Sequence, residues 1–127
     1  SAKLSHYKRR QVDAHIVKEG QIIADVYNGT PSGFDNCCED DEGYTKWYVL
    51  HAEANAIMKV ARSMNSARNS TLYLTMSPCR ECSKLVHQAG IKRLVYIYGY
   101  KDMDGVKFLR EAGVDIVQLE DVSIDVG

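Results

Sequence analysis

Apolar and polar residues alternate in two short segments near the start of the chain, residues 11–17 and 21–27. A period of two is typical of a β-strand with one buried face. The residues between the two segments end in Gly20, which suits a tight turn. The pattern therefore predicts a β-hairpin. Residues 28–48 show no period and are rich in Gly, Pro, Asp and Asn, which indicates a long loop.

Beyond this loop the apolar residues recur at the three-and-four spacing of an amphipathic helix that begins near His51. The residues on this apolar face are Ala56, Ile57, Val60, Ala61 and Met64. Residues 71–76 then alternate as a strand does. Ser77 and Pro78 suit the N-cap and the first position of a second helix, which Gly90 ends.

The last third of the chain continues this alternation of strands and helices. Residues 93–98 and 114–119 predict strands, and residues 104–113 predict a short helix that ends at Gly113. The predicted order is β-β-α-β-α-β-α-β. Right-handed crossovers in such a chain imply helices packed on both faces of a mixed sheet. The length of 127 residues suits one α/β domain, residues 1–127.

Charge and hydropathy narrow the class of partner and compartment. With a formal net charge of −1 and a sequence pI of about 6.4, the chain lacks the strong positive electrostatic field that usually attracts long nucleic acids. No apolar run approaches the roughly 20 residues of a membrane span, and the first ten residues lack a signal-peptide core. We therefore expect a cytoplasmic protein that has no membrane partner.

The strongest chemical signal lies at the two predicted helix starts. His51 and Glu53 open one helix, and Cys79 and Cys82 open the other. Zinc prefers nitrogen and sulfur ligands, and a site with three protein ligands leaves a fourth position for water, which is the catalytic arrangement. Glu53 is then the candidate for the base that moves protons onto a substrate.

Each of these residues also has an ordinary explanation. Glu53 alone would complement a helix dipole, His51 alone would be a satisfied histidine, and a single C-x-x-C motif serves as a redox pair or half of a structural zinc site. Together, however, the residues match the H-x-E and P-C-x-x-C signature of zinc nucleobase deaminases. The combination identifies the sequence as a member of that superfamily.

Longer segments resemble the deoxycytidylate deaminases, including phage members. The chain contains "VYNGTPSG", "KWYVLHAEANAI" and "PCRECSKL", where that family has Y-N-G-x-P-x-G, K-Y-x-Y-V-x-H-A-E-x-N-A-I and P-C-x-E-C-A-K-L. Deaminases that edit transfer RNA usually lack counterparts of Asn55 and Glu81, so these two residues favour the nucleotide branch. The resemblance, from about Val12 to Leu119, implies a cytidine deaminase-like three-layer α/β/α sandwich with a mixed five-stranded sheet.

The resemblance also implies a reaction. Zinc-dependent hydrolysis of dCMP would yield dUMP, a precursor for thymidylate synthesis, and ammonia, with Glu53 relaying a proton to N3 of the base and then to the leaving ammonia. Asn28 would bind the sugar, although its place before a glycine also suits a turn residue, and both roles are compatible. The backbone at Ala52 and Ser77 would contact the base. Tyr100 would cover it, unless this role belongs to a tyrosine two residues earlier.

Two departures from the family pattern and one pair of cysteines leave alternatives open. Asp13 and His15 replace a glycine and an apolar residue, and His15 either lies on an exposed strand face or alters the substrate pocket near Ala14. The segment between Tyr100 and the last helix is shorter than in the family. Cys37 and Cys38 are interpreted as free loop thiols, the alternative being ligands of a second, structural zinc found in some phage relatives.

By resemblance we also expect a homohexamer that dCTP activates and dTTP inhibits, with Mg²⁺ accompanying the triphosphate. The acidic residues 39–43 cannot bind phosphate directly, whereas the basic residues 6–10 are either a phosphate site or a solvated surface. Two other functions stay open. A nucleic-acid editing deaminase, acting on tRNA or single-stranded DNA, would act on oligonucleotides, and a noncatalytic zinc module would bind metal without turnover.

Overall fold

The structure is a computed structural model that describes residues 13–27 and 51–120. Five strands and three helices fall in these ranges. The strands are β1 (Asp13–Lys18), β2 (Gln21–Tyr27), β3 (Thr71–Met76), β4 (Arg93–Tyr98) and β5 (Asp115–Gln118). The helices are α1 (Ala52–Ala61), α2 (Arg80–Gln88) and α3 (Asp104–Glu111).

The five strands form one mixed sheet in the order β2-β1-β3-β4-β5. Strand β1 is antiparallel to both of its neighbours, whereas β3, β4 and β5 are parallel to one another. The predicted hairpin joins β1 to β2 through Glu19 and Gly20, whose φ angles are 52° and 78°. Two positive φ angles are those of a type I′ turn, which matches the twist of paired strands. The mixed five-stranded sheet of the predicted cytidine deaminase-like fold is confirmed.

The hydrophobic core lies between this sheet and the three described helices. Alternate residues of the central strands, such as Ile16, Leu72 and Leu94, are fully buried and pack with Val60 of α1 and Leu109 of α3. In residues 13–27 and 51–120 the helices lie on one face, because each successive crossover moves in the same direction across the sheet. The sequence pattern predicted helices on both faces of the sheet, and the described residues supply those of one face. None of the described helices is long and apolar enough to cross a membrane.

Two predicted helix boundaries were wrong. Helix α2 begins at Arg80 with Cys79 as its N-cap, whereas the sequence pattern gave that role to Ser77. Ser77 instead directly follows β3, where its N–H donates to the Tyr98 carbonyl over 2.9 Å. Helix α1 ends at Ala61, so Met64 lies outside it and is fully exposed. Gly90 and Gly113 follow the last turns of α2 and α3 with φ angles of 83° and 94°, as predicted.

We expect Leu72→Ala to destabilise the fold strongly, because Leu72 is fully buried on the central strand β3. Removing its side chain leaves a cavity, which costs about 2–5 kcal/mol of unfolding free energy for a buried leucine. Urea unfolding at saturating zinc measures this change. Leu85→Ala, at a leucine that is 42% exposed, is the matched control and should cost clearly less. Equal losses in the two variants would contradict this account of the core.

Candidate metal and active site

Three predicted metal ligands converge at the N-terminal ends of α1 and α2. His51 is the N-cap of α1, Cys79 is the N-cap of α2, and Cys82 lies in the first turn of α2. Their ligand atoms all lie within 4.8 Å of one another. The fold achieves this because α1 packs against α2, so residues 28 positions apart in the sequence become neighbours. Among the described residues this is the one group of three or more His, Cys, Asp and Glu side chains close enough to share a metal.

The spacing of these atoms fits zinc. The His51 Nδ1 atom lies 3.7 Å from the Sγ atom of Cys79 and 3.4 Å from the Sγ atom of Cys82. A tetrahedral zinc with its usual bonds to nitrogen and sulfur separates such ligand atoms by about 3.6 Å. One imidazole and two thiols also form a donor set that zinc prefers over magnesium or calcium. With three protein ligands, the fourth position belongs to water or substrate.

The two sulfurs differ in their affinity for protons. Hydrogen bonds from the Cys82 thiol and from His51 lower the pKa of Cys79 to about 3. The same interaction with Cys79, together with burial, raises the pKa of Cys82. The N–H of Cys82 also donates to the Cys79 sulfur over 3.5 Å, which supports a thiolate at the helix N-terminus. A second thiolate so close would repel the first unless a cation replaced the shared proton.

Glu53 lies beside this metal-ligand group in the first turn of α1 and is 95% buried, since only 5% of its surface is exposed. Burial raises the pKa of its carboxyl. The carboxyl also forms a hydrogen bond with the Cys82 thiol, so it lies next to the predicted ligands. The pKa of His51 is raised mainly by its hydrogen bond with Cys79. A buried carboxyl with a raised pKa exchanges protons more readily near neutral pH than an exposed one.

The predicted substrate residues lie around the same helix ends, except Asn28, which is outside the described residues. Ala52 is the first residue of α1 and is fully buried. Ser77 is buried, and its Oγ accepts a hydrogen bond of 2.7 Å from the N–H of Tyr100. The segment after β4 is thereby attached to the segment that precedes Cys79. Tyr100 itself is partly buried.

The departures at Asp13 and His15 lie on the face of the sheet opposite the described helices. Ala14 points into the core, whereas His15 lies beside Asp25, with 3.0 Å between His15 Nδ1 and Asp25 Oδ1. Both Asp13 and His15 line a cavity of about 250 Å³ on that face. None of the three predicted metal ligands lines this cavity. The predicted sites at residues 6–10, Cys37, Cys38 and 39–43 lie outside the described residues.

The sequence pattern did not predict the contact between α3 and the turn that carries Cys79 and Cys82. Arg80, between the two cysteines, pairs with Asp102 over 2.7 Å and with Asp104 over 2.9 Å. Gly105, which follows Asp104, packs directly against this turn. A glycine inside a predicted helix was the one signal in the sequence, because glycine disfavours helix and usually has a packing reason there.

Comparison with known proteins places this geometry among the deaminases. A model of the cytidine and deoxycytidylate deaminase zinc-binding region matches residues 1–98. The deoxycytidylate deaminase of Enterobacteria phage T4 is 32% identical, over 84% of this chain and 77% of its own length. The deoxycytidylate deaminase of Saccharomyces cerevisiae is 35% identical, over 93% of this chain but 41% of its own length.

A solved structure extends the comparison to three dimensions. The crystal structure of dCMP deaminase from cyanophage S-TIM5, in complex with dCMP and dUMP, superimposes with a TM-score of 0.89. That protein is 45% identical, and the match covers 93% of this chain and 88% of that one. This chain therefore resembles that enzyme in both fold and sequence along nearly its whole length, including the segments that carry the metal-ligand group.

Proposed function

Because this chain belongs to the cytidine and deoxycytidylate deaminase family, we propose that it hydrolyses dCMP to dUMP and ammonia. One observation carries the proposal: His51, Cys79 and Cys82 form a three-ligand group with the buried carboxyl of Glu53 beside it. The choice of dCMP is supported by the likeness to the cyanophage S-TIM5 enzyme, which was crystallised with dCMP and dUMP. The dUMP formed would supply thymidylate synthesis.

His51, Cys79 and Cys82 would hold zinc, which supplies a Lewis acid that makes water nucleophilic near neutral pH. The cytosine amino group is replaced by oxygen from water, so protons must move from that water to the base and the leaving group. The Glu53 carboxylate takes a proton from water, delivers it to N3, and later transfers a proton to the departing ammonia. Its burial keeps bulk water from competing for this proton.

The neighbouring backbone would orient the base. The N–H of Ser77 already donates to the Tyr98 carbonyl, so a contact between Ser77 and the cytosine amino group would use the Ser77 carbonyl. Ala52 would contact the same polar edge, Tyr100 would cover the ring, and Asn28 would bind the sugar. The hydrogen bond between Ser77 and Tyr100 supports placing these two residues in one pocket.

Regulation by dCTP and dTTP, with Mg²⁺, and assembly as a homohexamer are predictions from the family resemblance. Described residues 13–27 and 51–120 hold no second group of three or more metal-ligating side chains to support the magnesium prediction. An effect of either triphosphate on dCMP turnover would support regulation, and sedimentation velocity would give the subunit number.

Ammonia release from five substrates tests the proposed function. We expect fast turnover of dCMP and slow turnover of deoxycytidine, CMP, dCTP and a cytosine-containing oligonucleotide, because the similar cyanophage S-TIM5 enzyme was crystallised with dCMP and dUMP. Each assay is repeated with dCTP or dTTP as effector. Turnover of the oligonucleotide alone would instead indicate a nucleic-acid editing deaminase. A protein with zinc bound that acts on none of the five would be a noncatalytic zinc module.

A further inference from the structure

Helix α3 lies unusually close to the turn that carries Cys79. Gly105 is the second residue of α3 and is buried. A Cβ atom at this position would overlap Ser83 Oγ and would lie 2.7 Å from the carbonyl oxygen of Cys79 and 2.8 Å from that of Pro78. Nonbonded atoms prefer separations nearer 3.5 Å, so any side chain here forces one of the two helices to move.

The turn cannot easily yield to such a side chain. The Cys79 carbonyl accepts hydrogen bonds from the Ser83 N–H over 3.0 Å and from Ser83 Oγ over 2.8 Å. These bonds hold the carbonyl in the first turn of α2. Arg80 is meanwhile paired with Asp102 and Asp104 at the start of α3. The start of α3 is therefore joined to the first turn of α2 at Arg80, the residue next to Cys79.

The residue type at this position argues for a packing requirement. Glycine is among the least favourable residues inside a helix, and alanine would favour the helix by propensity alone. The φ angle of Gly105 is not in the left-handed region, so the backbone conformation does not require glycine. The close approach of the two carbonyl oxygens is the remaining physical reason.

We propose that Gly105 is a positioning residue for the zinc ligand Cys79. By letting α3 begin against the carbonyls of Pro78 and Cys79, it fixes the backbone from which the Cys79 sulfur reaches toward His51 and Cys82. The inference rests on the proposed zinc site. It extends the determinants of that site to a helix that contributes no ligand.

Zinc affinity of the variant Gly105→Ala tests this inference. We expect binding weaker by about 10–100-fold, the usual loss when a group that orients a metal ligand is changed. Competition with a chromogenic chelator measures the affinity, and the thiolate-to-metal absorption bands of the cobalt-substituted protein report the geometry of the two sulfurs. Far-UV circular dichroism checks that the variant is folded.

The matched control is Gly99→Ala, the same change in the segment before α3. A Cβ at Gly99 would meet its nearest atom, Met103 Sδ, at 3.4 Å, an ordinary contact. We expect this variant to keep wild-type zinc affinity and cobalt spectrum. Wild-type affinity in Gly105→Ala would overturn the inference, whereas a wild-type protein that binds no zinc would overturn the proposed function itself.

A double variant, Ser83→Ala with Gly105→Ala, separates the backbone overlaps from the side-chain overlap. Removing Ser83 Oγ relieves the shortest contact and makes folding easier, but both carbonyl contacts persist. We expect its zinc affinity to stay at least tenfold below that of the Ser83→Ala single variant. Equal affinity in the double and single variants would show that Cys79 is not displaced and would overturn the inference.

Discussion

Glu53→Gln should lower kcat for dCMP by at least about 10²–10⁴-fold while leaving zinc bound, which is the range that a positioned acid–base group supplies. Glutamine has nearly the volume of glutamate but cannot take up or release a proton at neutral pH. The side chain is buried beside the metal-ligand group, so a solvent-exposed acid of residues 13–27 and 51–120 cannot replace it directly. Steady-state ammonia release gives kcat, and metal analysis of the same sample gives the zinc content.

The control for this change is Glu111→Gln, which removes a carboxylate from an exposed position at the end of α3. We expect its kcat and zinc content to equal those of the wild type. Burial raises the pKa of Glu53, so an uncharged amide there should not destabilise the fold. A Glu53→Gln variant that lost its zinc, or that kept more than a tenth of wild-type kcat, would count against the proton-transfer role.

Local patterns predicted the strands well. The predicted segments 71–76 and 93–98 have the same bounds as β3 and β4. Each is a run rich in β-branched and aromatic residues with polar neighbours, so the sequence itself marks where the strand begins and ends. The start of α2 was less predictable. Ser77 has the chemistry of an N-cap, but its hydroxyl is engaged by the N–H of Tyr100, which is 23 residues away. No pattern within a few residues of Ser77 contains that partner.

The candidate metal-ligand group could be recognised in the sequence because the spacing of its members is local within each helix start. Cys79 and Cys82 lie on one helical turn, and His51 and Glu53 lie within three residues. The ligand atoms of the two helix starts lie within 4.8 Å of one another because α1 packs against α2. The sequence alone implies this packing only through the family resemblance. The role proposed for Gly105 depends on the distance between two helices, and distances of that kind leave little trace in a single sequence.

Removal of zinc should abolish activity reversibly while the fold persists. The main cluster of buried apolar side chains in the described residues comes from the sheet and its helices, and none of the three candidate ligands belongs to it, although Cys82 is itself buried. Chelation at neutral pH should therefore leave the far-UV circular dichroism spectrum intact but lower the melting temperature, because bound metal stabilises the native state by mass action. Adding one equivalent of zinc should restore ammonia release. Loss of the spectrum on chelation would instead indicate a structural zinc on which folding depends.

Cysteine substitutions distinguish this candidate site from a second metal site elsewhere in the chain. Cys79→Ser should lower zinc content from one to near zero per chain and reduce dCMP turnover to background, because a hydroxyl is a far poorer zinc ligand than a thiolate. The matched control is the double variant Cys37→Ser with Cys38→Ser, which should retain one zinc and full activity if these cysteines are free thiols. A wild-type content of two zinc ions that falls to one in this control would assign Cys37 and Cys38 to a structural zinc. The catalytic assignment of His51, Cys79 and Cys82 would then depend on whether activity survives that loss.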